Sequence, residues 1–220
     1  MDNAIKWLEN ALDILGKIGR HSISEHVAYG HTLVNLSKVS LLVGKDCGDN
    51  IYLKKAKTYA ESAIKEYEKS IPKEDVLYSK VAGGYMQLAD VCIALEDYQQ
   101  AMRFNDTAYN ILVPLFGEDD ADTLHAISRR VKILYGMRCF DEALKLSETS
   151  IEKYERFYRE THLTRYEQLL IRLKCLMATN RINEAKELAV YLLDLTKKIF
   201  APHAKQLQLM QDLVSEVNSM

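Results

Sequence analysis

The chain has 220 residues, 48% of them hydrophobic and 27% charged, with 29 basic against 31 acidic side chains and a formal net charge of −2. That balance excludes the marked basic excess of a general nucleic-acid binder, and no run of eighteen apolar residues is present to cross a membrane as a helix. Cys47, Cys92, Cys139 and Cys175 stand far apart with no CxxC pair, which reads as reduced thiols packed as small hydrophobes and predicts a cytoplasmic setting.

Three prolines and nine glycines punctuate the chain. Apolar residues recur at three and four, not at two, as in Leu144, Ser147, Ile151 and Tyr154 or Leu169, Leu173 and Leu176. The pattern predicts an all-α chain of about ten helices, each of roughly 15–20 residues. The opening stretch, "MDNAIKWLENALDILGKIGR", lacks the basic start, apolar core and cleavage site of a secretory signal and predicts a lone amphipathic helix within residues 1–20. Helical hairpins are then expected at 23–70, 73–115, 119–158 and 161–200, with a capping helix at 203–218, all within one domain spanning 1–220. In the first hairpin, Gly44 to Tyr52 is expected to be a longer loop. Gly83-Gly84 implies either a late helix start at Tyr85 or a place where a ligand backbone approaches closely.

The hairpins repeat. "CFDEAL" at Cys139–Leu144 has counterparts 42 residues away on each side, "DYQQAM" at Asp97–Met102 and "RINEAK" at Arg181–Lys186. Each places an apolar or aromatic residue three before an alanine, giving Tyr98/Ala101, Phe140/Ala143 and Ile182/Ala185. Ala56 and Ala4 fit the same slot, and Ala11, Ala63, Ala108, Ser150 and Leu192 fill a second slot seven residues on. Small residues at a recurring slot let two helices approach closely. Ala4 belongs to a second-helix slot, so the chain begins halfway through a unit. Either it is a segment of a longer repeat protein, or an unpaired helix caps the stack. Trp7, Leu8, Leu12 and Leu15 would then be partly uncovered, which predicts self-association or contact with an upstream segment.

A helix-turn-helix unit with "YxxA" or "FxxA" opening its second helix resembles the tetratricopeptide repeat (TPR). The 42-residue period, with "FGEDDADTLHAI" between units, is similar to the longer variant of kinesin light chains and bacterial regulatory proteins. The glycine usual in the family's first helix is replaced by Ala89, Val131 and Leu173, and Trp7 is the only tryptophan. The resemblance implies a right-handed α-solenoid whose first helices line a concave groove. On this chain the groove positions become His31, Val34, Asn35, Lys38 and Leu41, then Gly83, Met86, Gln87, Asp90 and Ile93, then His125, Ser128, Arg129, Lys132 and Tyr135, then Glu167, Leu170, Ile171, Lys174 and Met177. Of these, Asn35, Lys38, Met86, Gln87, Asp90, Arg129, Lys132, Tyr135, Lys174 and Met177 are the expected partner contacts. The family's carboxylate clamp is not reproduced, since the matching pairs are Val34/Lys38, Met86/Asp90 and Ser128/Lys132. What remains implies a protein or peptide partner carrying acidic and apolar side chains, with Arg129, Lys132 and Lys174 as the expected positive cluster.

No residue set points to a metal, a cofactor or a reaction. His21, His26 and His31 are spaced by five, a rotation of about 140° each time on a helix, so they do not converge. No nucleophile elbow or phosphate loop is present, and Glu118, Asp119, Asp120 and Asp122 fit the start of a helix better than a calcium loop. The expected function is a non-enzymatic scaffold. The alternative is a sensor or regulatory module of a larger signalling protein, such as an ATPase whose catalytic part lies outside this chain.

Overall fold

The computed structural model describes residues 2–157 and 159–220, and among these it contains ten α-helices and no strand. They are α1 (Asp2–Ile18), α2 (Ile23–Cys47), α3 (Asn50–Ser70), α4 (Ser79–Ala94), α5 (Tyr98–Phe116), α6 (Ala121–Gly136), α7 (Phe140–Phe157), α8 (Leu163–Ala178), α9 (Ile182–Ile199) and α10 (Lys205–Ser219). Both the all-α class and the helix count agree with the sequence periodicity. Packing divides the chain into two compact units, one ending at Arg129 and the other starting at Arg130, so the division falls inside α6.

Local chemistry sets the helix ends. Ser22 and Glu25 form a capping box at α2: the Glu25 amide donates to Ser22 Oγ, and the Ser22 amide donates to Glu25 Oε2. Asp49 and Asp97 cap α3 and α5 by accepting from the amides of Ile51 and Gln100. The turns before α5, α7 and α9 share one construction. Glu96, Arg138 and Asn180 are left-handed, with φ of +60°, +63° and +58°. The next amide in each case, from Asp97, Cys139 or Arg181, donates to the carbonyl five residues back, on Cys92, Leu134 or Leu176. This closes the preceding helix by the Schellman pattern and starts the next one at Tyr98, Phe140 or Ile182.

The alanine slot is where the hairpins close. Ala56, Ala101, Ala143 and Ala185 are fully buried, as are Ala63, Ala108 and Leu192 in the second slot. In the first unit a core of Leu33, Ala60, Ala63, Ile64, Tyr67, Val81 and Leu88 joins α2, α3 and α4. A smaller cluster of Leu41, Leu53, Ala56 and Val91 lies beside it. In the second unit Leu144, Ile151, Tyr154, Leu169, Leu173, Leu176, Leu192 and Leu195 are buried, and Met210 and Val217 of α10 join them. Burying each large apolar side chain stabilises by about 1.5–3 kcal/mol, so these contacts, more than helix propensity, hold the units.

Two local expectations are corrected. The Gly44–Tyr52 loop is only a two-residue turn, because α2 continues to Cys47 and breaks at the left-handed Gly48. Gly44 lies inside the helix and against Leu53, where an added Cβ would come within 2.6 Å of the leucine side chain. Likewise α4 starts at Ser79, not Tyr85, so Gly83 and Gly84 are helix-interior. Gly84 admits Ile64, whose side chain would lie 2.5 Å from a Cβ there, whereas Gly83 faces open space.

Candidate ligand groove

The groove residues expected from the sequence separate between the two units. In the first, Asn35, Lys38, Met86, Gln87 and Arg129 line one cavity of about 400 Å³, together with His31, Val34, Tyr67, Ser79, Lys80, Gly83 and Asp122. Helices α2 and α4 supply most of this wall, and α6 adds Asp122 and Arg129. The helical period explains the grouping: His31, Val34, Asn35 and Lys38 recur at three and four on α2, as do Ser79, Lys80, Gly83, Met86 and Gln87 on α4.

Internal partners decide what each polar group can do. Gln87 is buried, and its Nε2 donates to Ser37 Oγ at 3.1 Å while Ser37 donates to the Ala56 carbonyl at 2.7 Å. It therefore braces α2 against α4 as well as facing the cavity. Arg129 forks onto Asp90, with Nε to Oδ1 at 3.0 Å and Nη2 to Oδ2 at 2.8 Å, and its Nη1 also meets Met86 Sδ at 3.4 Å. Arg129 is thus not the open cation that the sequence reading expects, and Asp90 is committed to it. Lys38 and Lys80 form no ion pair or hydrogen bond with any described residue. His31 lines the same cavity, and its imidazole, though exposed at one side, is held below its usual pKa by partial desolvation, then by the positive charge of Lys80 and of Lys38. Its ring meets Tyr67 edge-on, with centroids 6.0 Å apart.

In the second unit Tyr135, Lys174 and Met177 line a hollow of about 390 Å³ with Ala178, Leu213, Glu216 and Met220. Lys132 lies outside that lining and pairs with Glu167, a partner that the groove reading did not anticipate. Glu167 sits on α8 one repeat further on, and its pairing with Lys132 crosses neighbouring first helices, a contact that periodicity alone does not specify.

Lys80 and Ser79 are the residues that sequence reasoning missed. They precede the alignable part of the unit, and the late-start alternative at Tyr85 placed them outside the helix. The signal was their spacing of three and four from Gly83. Among the described residues no cluster of His, Cys, Asp and Glu is arranged to hold a metal, and no helix is long and apolar enough to cross a membrane.

Neither a protein-family model nor a curated sequence matches the chain. Solved structures do. BtubC (BKLC) from P. vanneervenii superposes with a TM-score of 0.78 at 14% identity, over 99% of this chain and 83% of its own. Two structures of a Podosopora anserina protein, classed with kinesin light chains and built of nearly identical TPR-like repeats, give TM-scores of 0.63 and 0.62. They are 15% and 14% identical, cover 83% of this chain, and are covered over 84% and 85% of their own length. The fold is that of TPR-like repeats.

For a TPR-like chain the αL turn, the buried alanine and the groove position form one unit of geometry. The buried slot at Ala56 and Ala101 sets how α3 and α5 lie on α2 and α4. The cavity wall meets that packing directly: Met86 packs with Ala108, and Gln87 donates to Ser37, which donates to the Ala56 carbonyl.

Proposed function

We propose that the chain is a non-enzymatic, cytoplasmic interaction scaffold that holds a partner peptide or protein in the cavity lined by α2, α4 and the first turns of α6. The observation that carries this reading is the make-up of that cavity: Val34 and Met86 offer apolar contact, Asn35 offers an amide, and Lys38 and Lys80 offer charges not spent internally. A peptide with acidic and apolar side chains fits this chemistry. The hollow at Tyr135, Lys174 and Met177 is a second candidate surface, in which Lys174 stands with Glu216. The thiols support the compartment, since Cys92 and Cys175 are buried and burial pushes the Cys175 thiol up to about 11, keeping it a protonated, unreactive side chain.

Helix α1 is the candidate self-association surface. Trp7 is 75% exposed, and Ile14 and Ile18 are exposed beside it, while Leu12 packs against the first core. A sedimentation series over protein concentration reads this directly, and a strict monomer at high concentration removes it.

Selection from a displayed random-peptide library tests the scaffold reading. Enriched peptides should carry acidic and apolar residues, and a Lys38→Glu/Lys80→Glu variant of unchanged helicity should lose them. Enrichment of no peptide, or retention by the double variant, counts against the cavity as the binding surface.

A further inference from the structure

We propose that the α2–α4 cavity contains a phosphoryl-binding subsite, in which Lys38, Lys80 and His31 receive the dianionic group of a phosphorylated peptide side chain while Gly83 lets the peptide backbone lie against α4. This rests on the peptide-scaffold reading above and gives it a ligand class.

Charge is the first ground. Arg129 is neutralised by Asp90, so the cavity's uncompensated groups are Lys38 and Lys80 against the single lining carboxylate, Asp122. With His31 neutral the site is left with one net positive charge, and with His31 protonated it has two. A phosphate monoester carries about −1.5 to −2 at neutral pH and matches the protonated site. A carboxylate carries one negative charge and matches the site without proton uptake.

Shape is the second ground. The planar Arg129 fork, which suits a carboxylate, is occupied in two-point contact with Asp90. The two available cations are lysines, whose ammonium groups act as point charges that can converge on a tetrahedral anion from different sides. The Asn35 amide and the Ser79 hydroxyl stand on the same lining.

The third ground is Gly83. A helix-interior glycine is destabilising relative to alanine, and Gly84 has a packing reason in Ile64 that Gly83 lacks. A Cβ at Gly83 would meet nothing within 4 Å. An absent side chain on the cavity wall leaves room for close backbone approach.

Binding is consequently linked to a proton. Ligand-free His31 is held below the ordinary imidazole value by partial desolvation, Lys80 and Lys38; Tyr67 meets its ring, and Arg129 and Asp122 are the other charged groups lining the cavity. An anion beside it raises its pKa, so affinity for the dianion increases as pH falls through the interval between the free and bound values, until the phosphate takes up its own second proton at about pH 6.

The test titrates the full chain with N-acetyl-O-phosphoserine methylamide, with the corresponding aspartate derivative and with inorganic phosphate at matched ionic strength, following the His31 Hε1 resonance by NMR from pH 5.5 to 8. The phosphoserine compound should raise the His31 pKa and bind more tightly as pH falls from 8 toward about 6, then weaken below that as the phosphate takes up its second proton. Lys38→Ala and Lys80→Ala should each weaken it by about tenfold, the scale of one charge-assisted contact. Gly83→Val should preserve helicity and block a longer phosphoserine peptide, while leaving the small probe bound. Equal binding of the aspartate compound would make this a carboxylate site, and equal binding of inorganic phosphate would make it a site for the free ion; either overturns the proposal. An unmoved His31 resonance overturns it as well. If displayed peptides still bind through Lys38 and Lys80 in that case, the scaffold reading survives and only the phosphoryl assignment is lost.

Discussion

The cavity of α2–α4 in the first unit and the hollow beside α8 in the second are each lined by first helices of the repeat, yet their charges are held differently. In the first, Arg129 is locked to Asp90 while Lys38 and Lys80 stand open. In the second, Lys174 shares the hollow with the carboxylate of Glu216, and Lys132, outside that lining, is paired with Glu167. Repeat position brings Asn35, Lys38, Met86, Gln87 and Arg129 to one lining, yet it leaves Asp90 and Lys132 outside both linings and does not call for Ser79 or Lys80. It does not determine whether their charge is available, because that depends on a partner contributed by the neighbouring helix.

The largest effect is expected in the hairpin packing of the second unit. Ala143 is fully buried at the hairpin contact, so Ala143→Trp should cost about 3 kcal/mol or more by overpacking. Ala4 occupies the equivalent slot on α1 but is exposed, and Ala4→Trp should change stability by less than about 0.5 kcal/mol. Urea melts of the two variants check this. Equal costs would mean that the slot has no special role in packing.

The paired and open cations should separate next. Arg129→Ala leaves a half-buried Asp90 without its fork and should cost about 1–2 kcal/mol. Lys38→Ala and Lys80→Ala should each stay within about 0.5 kcal/mol of the parent, since no internal ion pair or hydrogen bond is lost. A thermal shift series distinguishes them, and a destabilised Lys80→Ala would show that this charge is spent inside the fold.

The αL turns give a gain. Glu96→Gly and Arg138→Gly should each stabilise by about 1 kcal/mol, because glycine has no penalty at positive φ. Asn180→Gly should gain less, asparagine being the most tolerant of the three. Smallest is the pH effect. The unfolded chain protonates His31 near its ordinary value of 6.5 before the folded chain does, so stability is full above that pH and declines as pH falls through it. His31→Gln should flatten that part of the acid limb, as read from urea midpoints between pH 7.5 and 5.5.

Much of the fold was legible because it rests on periodicity. Tyr98/Ala101, Phe140/Ala143 and Ile182/Ala185 recur with the buried slot and mark the starts of α5, α7 and α9. The turns themselves were not legible: Glu96, Arg138 and Asn180 include no glycine, so their common left-handed geometry left no mark on composition. The same reasoning misplaced Gly44 in a loop, since a glycine beside "DCGDN" looks like a breaker until Leu53 is seen against it. At the groove, Asn35, Lys38, Met86, Gln87 and Arg129 do meet at one cavity. The Arg129–Asp90 and Lys132–Glu167 pairs stayed hidden because each joins residues at least 35 positions apart. Nothing in a repeat pattern says which of two facing charges will find the other.

Methionine methyl NMR on addition of a library-selected peptide tests the cavity assignment most directly. Met86 lines the α2–α4 cavity and Met177 lines the hollow beside α8, so each reports on one surface. A large shift of the Met86 methyl resonance with Met177 unchanged, abolished by Lys38→Glu/Lys80→Glu, is the expected result. A shift confined to Met177, or to neither, would contradict the assignment of ligand binding to the cavity of the first unit.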